Sequence, residues 1–68
     1  MKVTLNGELV VLGDDATVAG AVERAGVNGN ARGVAVAVDG DVVPRGEWAE
    51  TELHEGQSVE VVAAIQGG

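Results

Sequence analysis

Residues 58–68 read Ser-Val-Glu-Val-Val-Ala-Ala-Ile-Gln-Gly-Gly, and where this segment sits decides the fold. Ser58 to Ala64 reads as the final strand. Val59, Val61 and Ala63 fall at every second position, so they share one face, and Val62 and Ala64 share the other. A lone strand is not stable in water, so this one must enter a sheet built from segments upstream.

Two hairpins supply that sheet. Met1, Val3 and Leu5 alternate with Lys2 and Thr4 as a half-buried strand. Asn6-Gly7 follows, a pair suited to the two positive φ angles of a type I′ turn, and Glu8 to Leu12 returns as the second strand. Gly33 to Val38 carries Val34, Val36 and Val38 on one face and Ala35 and Ala37 on the other. Asp39-Gly40 is the second hairpin signal. Val42-Val43 begins the return, and Pro44 ends it or places it at a sheet edge.

A helix lies between the hairpins. Val18, Ala21, Val22 and Ala25 occur at i, i+3, i+4 and i+7 and form one apolar stripe. Thr17 is placed to cap the start, and Gly26 to close the end in the left-handed region. Gly20, inside the helix, costs about 1 kcal/mol relative to Ala unless close packing against the sheet requires it. Gly13-Asp14-Asp15 reads as a loop, Asn28 to Arg32 as a polar loop, and Glu55-Gly56 as a turn. Arg45 to Leu53 reads as an irregular connection carrying Trp48.

The order is therefore hairpin, helix, hairpin, irregular link and final strand. Its compact solution is an α+β fold, a mixed four- to five-stranded sheet with one main helix packed across it. The last strand runs through the sheet centre beside the first, which is the β-grasp arrangement. The expected division is a folded domain over 1–65 and a flexible tail over 66–68.

Composition narrows the function. The chain has 68 residues, no cysteine, eleven acids and four Lys plus Arg, for a formal net charge of −7. A domain of this size buries only about 60% of the surface its unfolded chain exposes, so a deep private active-site cleft is not expected. The missing thiol removes disulfides, a thiolate nucleophile and cysteine-ligated zinc. The acidity argues against nucleic acid, because phosphate binding needs clustered cations. No apolar run approaches the ~20 residues of a membrane span, and no signal peptide is evident, so the expectation is a cytoplasmic protein with protein partners. The fourteen valines favour strands, and a core of Val and Ala implies modest stability.

Small acidic proteins are often carriers, which directs attention to attachment points. An acyl carrier needs a serine at a helix start, but Ser58 is the only serine and heads a strand. A lipoyl or biotinyl domain needs a lysine at a hairpin tip, but Lys2 is the only lysine and opens the first strand. The remaining handle is the carboxylate of Gly68. Gly67 and Gly68 lack Cβ atoms, so the tail, with Gln66, can extend through a narrow channel in a partner. A carboxylate is a poor electrophile and needs activation, for which attack on the α-phosphate of ATP is the usual route. The chain has no phosphate-binding loop, so a partner must hold the ATP and Mg. Against this, Gly67-Gly68 has the alternative reading of an ordinary frayed end.

The other candidates carry two readings each. Trp48 is a core plug whose indole N–H finds one partner, or an anchor on a partner. Arg45 pairs with a carboxylate or contacts the partner. Val62 and Ala64, facing away from the helix, with Ile65 after them, form an apolar docking strip or a weakly apolar outer face. His54 reads as a solvated turn residue. Glu47, Glu50, Glu52 and Glu55 read as a solvated acidic face, since their spacing matches no calcium loop. The glycines at 26, 29 and 33 lack nucleotide-loop spacing.

These residues together resemble the ThiS family of ubiquitin-like sulfur carriers of thiamine (thiazole) biosynthesis. The resemblance spans nearly the whole chain. It runs through Leu5-Asn6-Gly7-Glu8, Ala16-Thr17-Val18, Val34-Ala35-Val36-Ala37-Val38, and Val43-Pro44-Arg45 with Trp48-Ala49. It continues through Glu55-Gly56, Val59-Glu60-Val61-Val62, Ala64-Ile65 and Gly67-Gly68. The Gly-Gly end is common to ubiquitin-like carriers, whereas Val-Pro-Arg-x-x-Trp before an acid-Gly turn is more specific. Gln66 stands where relatives often have glycine. The resemblance implies a non-enzymatic co-substrate. A ThiF-like enzyme would adenylate Gly68 with MgATP. Sulfur from a cysteine desulfurase pathway would then give a thiocarboxylate, and a ThiG-like thiazole synthase would consume it. Partner docking would fall to Val62, Ala64, Ile65, Arg45 and Trp48. Alternatives are a MoaD-like carrier of molybdopterin synthesis, a ubiquitin-like protein modifier and a plain interaction module.

Overall fold

A computed structural model describes residues 1–28 and 33–63. The strands are β1 (Lys2–Leu5), β2 (Glu8–Val11), β3 (Val34–Val38), β4 (Asp41–Val43) and β5 (Ser58–Ala63). One α-helix, α1 (Val18–Arg24), and a short 3₁₀ turn over Arg45–Glu47 complete the described elements. The sheet order is β2-β1-β5-β3-β4, with β1 parallel to β5 and the other neighbours antiparallel. The final strand occupies the centre beside the first, so the expected architecture is the observed one.

Local chemistry accounts for each element. Asn6 and Gly7 take φ of 51° and 84°, and Asp39 and Gly40 take 49° and 89°. Both pairs therefore have the double positive φ of type I′ turns, whose twist matches the flanking strands. Thr17 accepts a hydrogen bond from the Gly20 N–H at 3.4 Å. At the other end Gly26 has φ of 79°, its N–H donates to Glu23 O, and the Val27 N–H donates to Val22 O. These two bonds close α1 as a Schellman motif and satisfy carbonyls that would otherwise be orphaned.

The core forms where α1 crosses the sheet. Val18, Ala21 and Val22 meet Leu5, Val36, Val59 and Val61 in one buried cluster with Trp48 and Leu53. Val3 is fully buried as well. Three details depart from the sequence reading. The link after Pro44 begins as a 3₁₀ turn because Pro44 stays extended at ψ 144° while the Glu47 N–H donates back to its carbonyl. Leu53, read only as the end of an irregular link, is 2% exposed and belongs to the core. A Cβ at Gly20 would meet only the Thr17 Oγ1, at 4.0 Å, so close packing does not require glycine there.

The link also completes the helix. The N–H groups of Val18 and Ala19 donate to Thr51 O and Trp48 O at 2.9 and 3.0 Å. The first donors of a helix have no partner within it, and here the connector supplies them. Leu53 N–H donates to Ala16 O, and Thr17 bridges to Glu52, which draws Leu53 under the helix start. Among the described residues, no buried side-chain polar atom lacks a partner.

Candidate functional site

The residue types that carry acid–base, nucleophilic or metal chemistry do not converge. Glu47, Glu50, Glu52, His54 and Glu55 are all exposed. The described residues contain no group of three or more His, Asp and Glu placed to hold a metal ion. Among them, no helix is long and apolar enough to cross a membrane. Among the described residues two surfaces bear on the docking candidates, one on each side of the sheet.

The first is the outer face, opposite α1. Val59 and Val61 point to the helix and are buried, so Ser58, Glu60 and Val62 point outward. Val62 is 58% exposed and sits opposite Ala35 of β3, while Ala37 sits opposite Val42, which is 73% exposed. Val62, Ala35, Ala37 and Val42 thus form an apolar wing over β5, β3 and β4. Leu9 and Val11 form a second wing on β2, at 70% and 69% exposure. Lys2, Thr4, Ser58 and Glu60 run between the wings as a polar midline. The apolar positions of both wings exceed what scattered surface valines require and suit a protein contact. Leu9 and Val42 were not among the candidates, because nothing local tells which face of an edge strand is covered.

The second surface is an open groove of about 750 Å³ on the helix side, bounded by Ala19, Val22, Gly26, Val27, Arg45 and Trp48. The Arg45 guanidinium lies over the Trp48 ring at 4.7 Å from its centroid, a cation–π stack. The indole N–H donates to Val43 O at 2.9 Å, and Trp48 is 5% exposed. Trp48 is therefore the core plug of the two readings, buried where an anchor would have to protrude. Arg45 and Trp48 also lie across the sheet from Val62, so these docking candidates do not make one surface. Ala64, Ile65, Gln66, Gly67 and Gly68, with the expected mobility of the tail, lie outside the described residues. Val62 and Ala63, which precede them, are the last described residues of β5 and pair with Ala35 and Val34 of β3.

A five-stranded mixed sheet with its terminal strand central and a single helix across one face defines a β-grasp domain. The sequence profile of the ThiS family matches residues 2–68, and the chain belongs to that family. The crystal structure of a thiamine biosynthesis protein (ThiS) from Geobacter metallireducens is similar over the full length of both chains, with 26% identity and a TM-score of 0.77. The solution structure of a thiamine biosynthesis protein from the same organism gives 26% identity and a TM-score of 0.78, covering all of this chain and 88% of the other. None of the curated proteins matches at a significant level.

Proposed function

We propose that the protein is a sulfur carrier of thiamine biosynthesis, working in the cytoplasm as a co-substrate rather than as a catalyst. Residues 1–65 present the docking surface, and residues 66–68 enter the partner. A ThiF-like enzyme binds ATP and Mg, and an oxygen of the Gly68 carboxylate attacks the α-phosphorus with loss of pyrophosphate. A persulfide from a cysteine desulfurase pathway then attacks the carbonyl carbon and displaces AMP, and a thiol reductant cleaves the resulting S–S bond to leave the sulfur on Gly68. The resulting thiocarboxylate passes to a ThiG-like thiazole synthase. Gln66, Gly67 and Gly68 occupy both partners' channels in turn.

The observation that carries this reading is the ThiS-family match running through residue 68, with Gly67 and Gly68 intact at its end. The apolar wing at Val62 supplies a contact surface shortly before the tail, and Ala64 and Ile65 follow it in the sequence as the remaining docking residues of this reading. Arg45 enters the docking surface only where a partner reaches round to the helix side, and Trp48 supports it from beneath.

The test is mass spectrometry of the C-terminal peptide after incubation with ATP, a sulfur source and a ThiF-like enzyme. Exchange of one oxygen for sulfur on the peptide holding Gly68 is expected. A chain lacking Gly67 and Gly68 should melt like the wild type yet accept no sulfur. An unmodified Gly68, with no acyl-adenylate trapped, refutes the carrier reading. Isopeptide conjugates without sulfur exchange would point to a protein modifier instead.

A further inference from the structure

Asn6-Gly7 forms the first turn, and the pair also carries chemistry of its own. The backbone nitrogen that follows an asparagine can attack the side-chain amide carbon. The N–Cγ bond forms, the Cγ–Nδ2 bond breaks and ammonia leaves, giving a five-membered succinimide. Water then opens the ring at one carbonyl or the other, to aspartate or to isoaspartate. The sequence of steps needs no oxidant, reductant or enzyme. Glycine in the second position favours the attack, because no side chain obstructs its nitrogen and its backbone reaches angles that other residues avoid. The chain holds this dipeptide twice, at Asn6-Gly7 and at Asn28-Gly29.

In the folded chain the Asn6 amide is occupied. The ladder between β1 and β5 runs from the Thr4 N–H to Gln57 O and from the Asn6 N–H to Val59 O, both at 2.9 Å. Its next rung is a side chain. Val61 N–H donates to Asn6 Oδ1 at 2.8 Å, and Asn6 Nδ2 donates to Val61 O at 3.2 Å. A primary amide offers the same donor and acceptor as a peptide unit, so it grips the strand as a peptide would. To react, the amide must give up both bonds, since Nδ2 leaves and Cγ swings onto the Gly7 nitrogen.

We propose that Asn6 is a site of spontaneous deamidation whose rate is set by its grip on Val61. Reaction takes place in the fraction of molecules whose Asn6 amide has left the strand. Neither product restores the original rung. Aspartate keeps an acceptor for the Val61 N–H but turns a second oxygen toward Val61 O. Isoaspartate adds a methylene to the main chain of a two-residue turn, whose length fixes the register of β1 with β2. A momentary opening is thereby converted into a lasting defect beside the central strand, and the modification accumulates with the age of the molecule.

Peptide mapping of the full chain, incubated at mildly alkaline pH with and without denaturing guanidinium chloride, tests the proposal. In denaturant Asn6 and Asn28 should convert at similar rates, since both precede glycine. There Gly7→Ala should slow Asn6 alone, as ring closure through the next nitrogen requires. Without denaturant Asn6 should convert about 5- to 150-fold more slowly, the retardation that two hydrogen bonds of ordinary net strength give. Hydrogen exchange of the Val61 N–H, bonded to the same amide, should be slowed by a similar factor. Chains deamidated at Asn6 should melt below the wild type, as should Asn6→Asp. Equal conversion of Asn6 with and without denaturant overturns the proposal. Slow conversion beside fast exchange at Val61 also overturns it, because the protection would then come from the turn backbone and not from the grip. A deamidated chain that melts like the wild type refutes the lasting defect.

Discussion

Two alanine substitutions on one helix should act in opposite directions. Gly20 lies within α1, where the third residue of the helix needs no special backbone angle, and its Cβ position is open apart from Thr17 Oγ1 at 4.0 Å. Glycine in a helix interior is about 0.8–1.0 kcal/mol less favourable than alanine. Near the first turn the gain from Gly20→Ala should be about 0.5–1 kcal/mol, a rise in melting temperature of about 2–8 °C for a domain this small. Gly26 also has open space around its Cβ position, but its φ is 79°. An L-residue in the left-handed region costs about 1–2 kcal/mol, so Gly26→Ala should lower the melting temperature by about 4 °C or more. Both variants stiffen the unfolded chain equally, since each replaces one glycine by one alanine. The difference between them therefore reports on native backbone geometry alone. Thermal melts followed by far-ultraviolet circular dichroism give both values. A lower melting temperature for Gly20→Ala, or shifts of the same sign in both, would refute the reasoning.

Two further substitutions probe the core. Leu53→Ala should cost about 2–5 kcal/mol, because Leu53 is 2% exposed and little around it can collapse into the hole. In so small a domain that loss should leave much of the chain unfolded at 37 °C, as urea titration would reveal; a loss below about 1 kcal/mol contradicts the placement of Leu53. Trp48→Phe keeps an aromatic ring under Arg45 but leaves Val43 O without its donor, which should cost about 1–3 kcal/mol in the same titration. A neutral outcome would mean that water replaces the indole N–H.

The local signals were legible in the sequence, and their order along the chain was enough to place the last strand beside the first. Asn6-Gly7 and Asp39-Gly40 announce their turns through residues that tolerate positive φ, and the stripe from Val18 to Ala25 announces a helix by its spacing. Leu53 was not legible, because a single apolar residue between Glu52 and His54 has no periodicity. Its burial comes from the Thr17–Glu52 bridge and the bond from its N–H to Ala16 O, both made across the fold. Trp48 could be narrowed to two roles, and only its bond to Val43 O and its burial separate them. The Asn6 grip on Val61 was hidden for the same reason. A turn residue advertises its backbone angle, whereas its side-chain partner lies 55 positions away.

The parallel pairing of β1 with β5 also sets the order in which the molecule can assemble. The turn of each hairpin depends on near neighbours in the chain, whereas α1 also waits for Trp48 and Thr51 of the link. Neither hairpin can shield its inner valines until β5 slides between β1 and β3. The rate-limiting event is therefore the closure of a loop of almost the whole chain, and all the sheet's cooperativity is deferred to it. Folding should be slow for the size of the domain. A nascent chain that stops short of Ser58 leaves two unjoined hairpins with exposed apolar faces, a form suited to aggregation and to capture by chaperones.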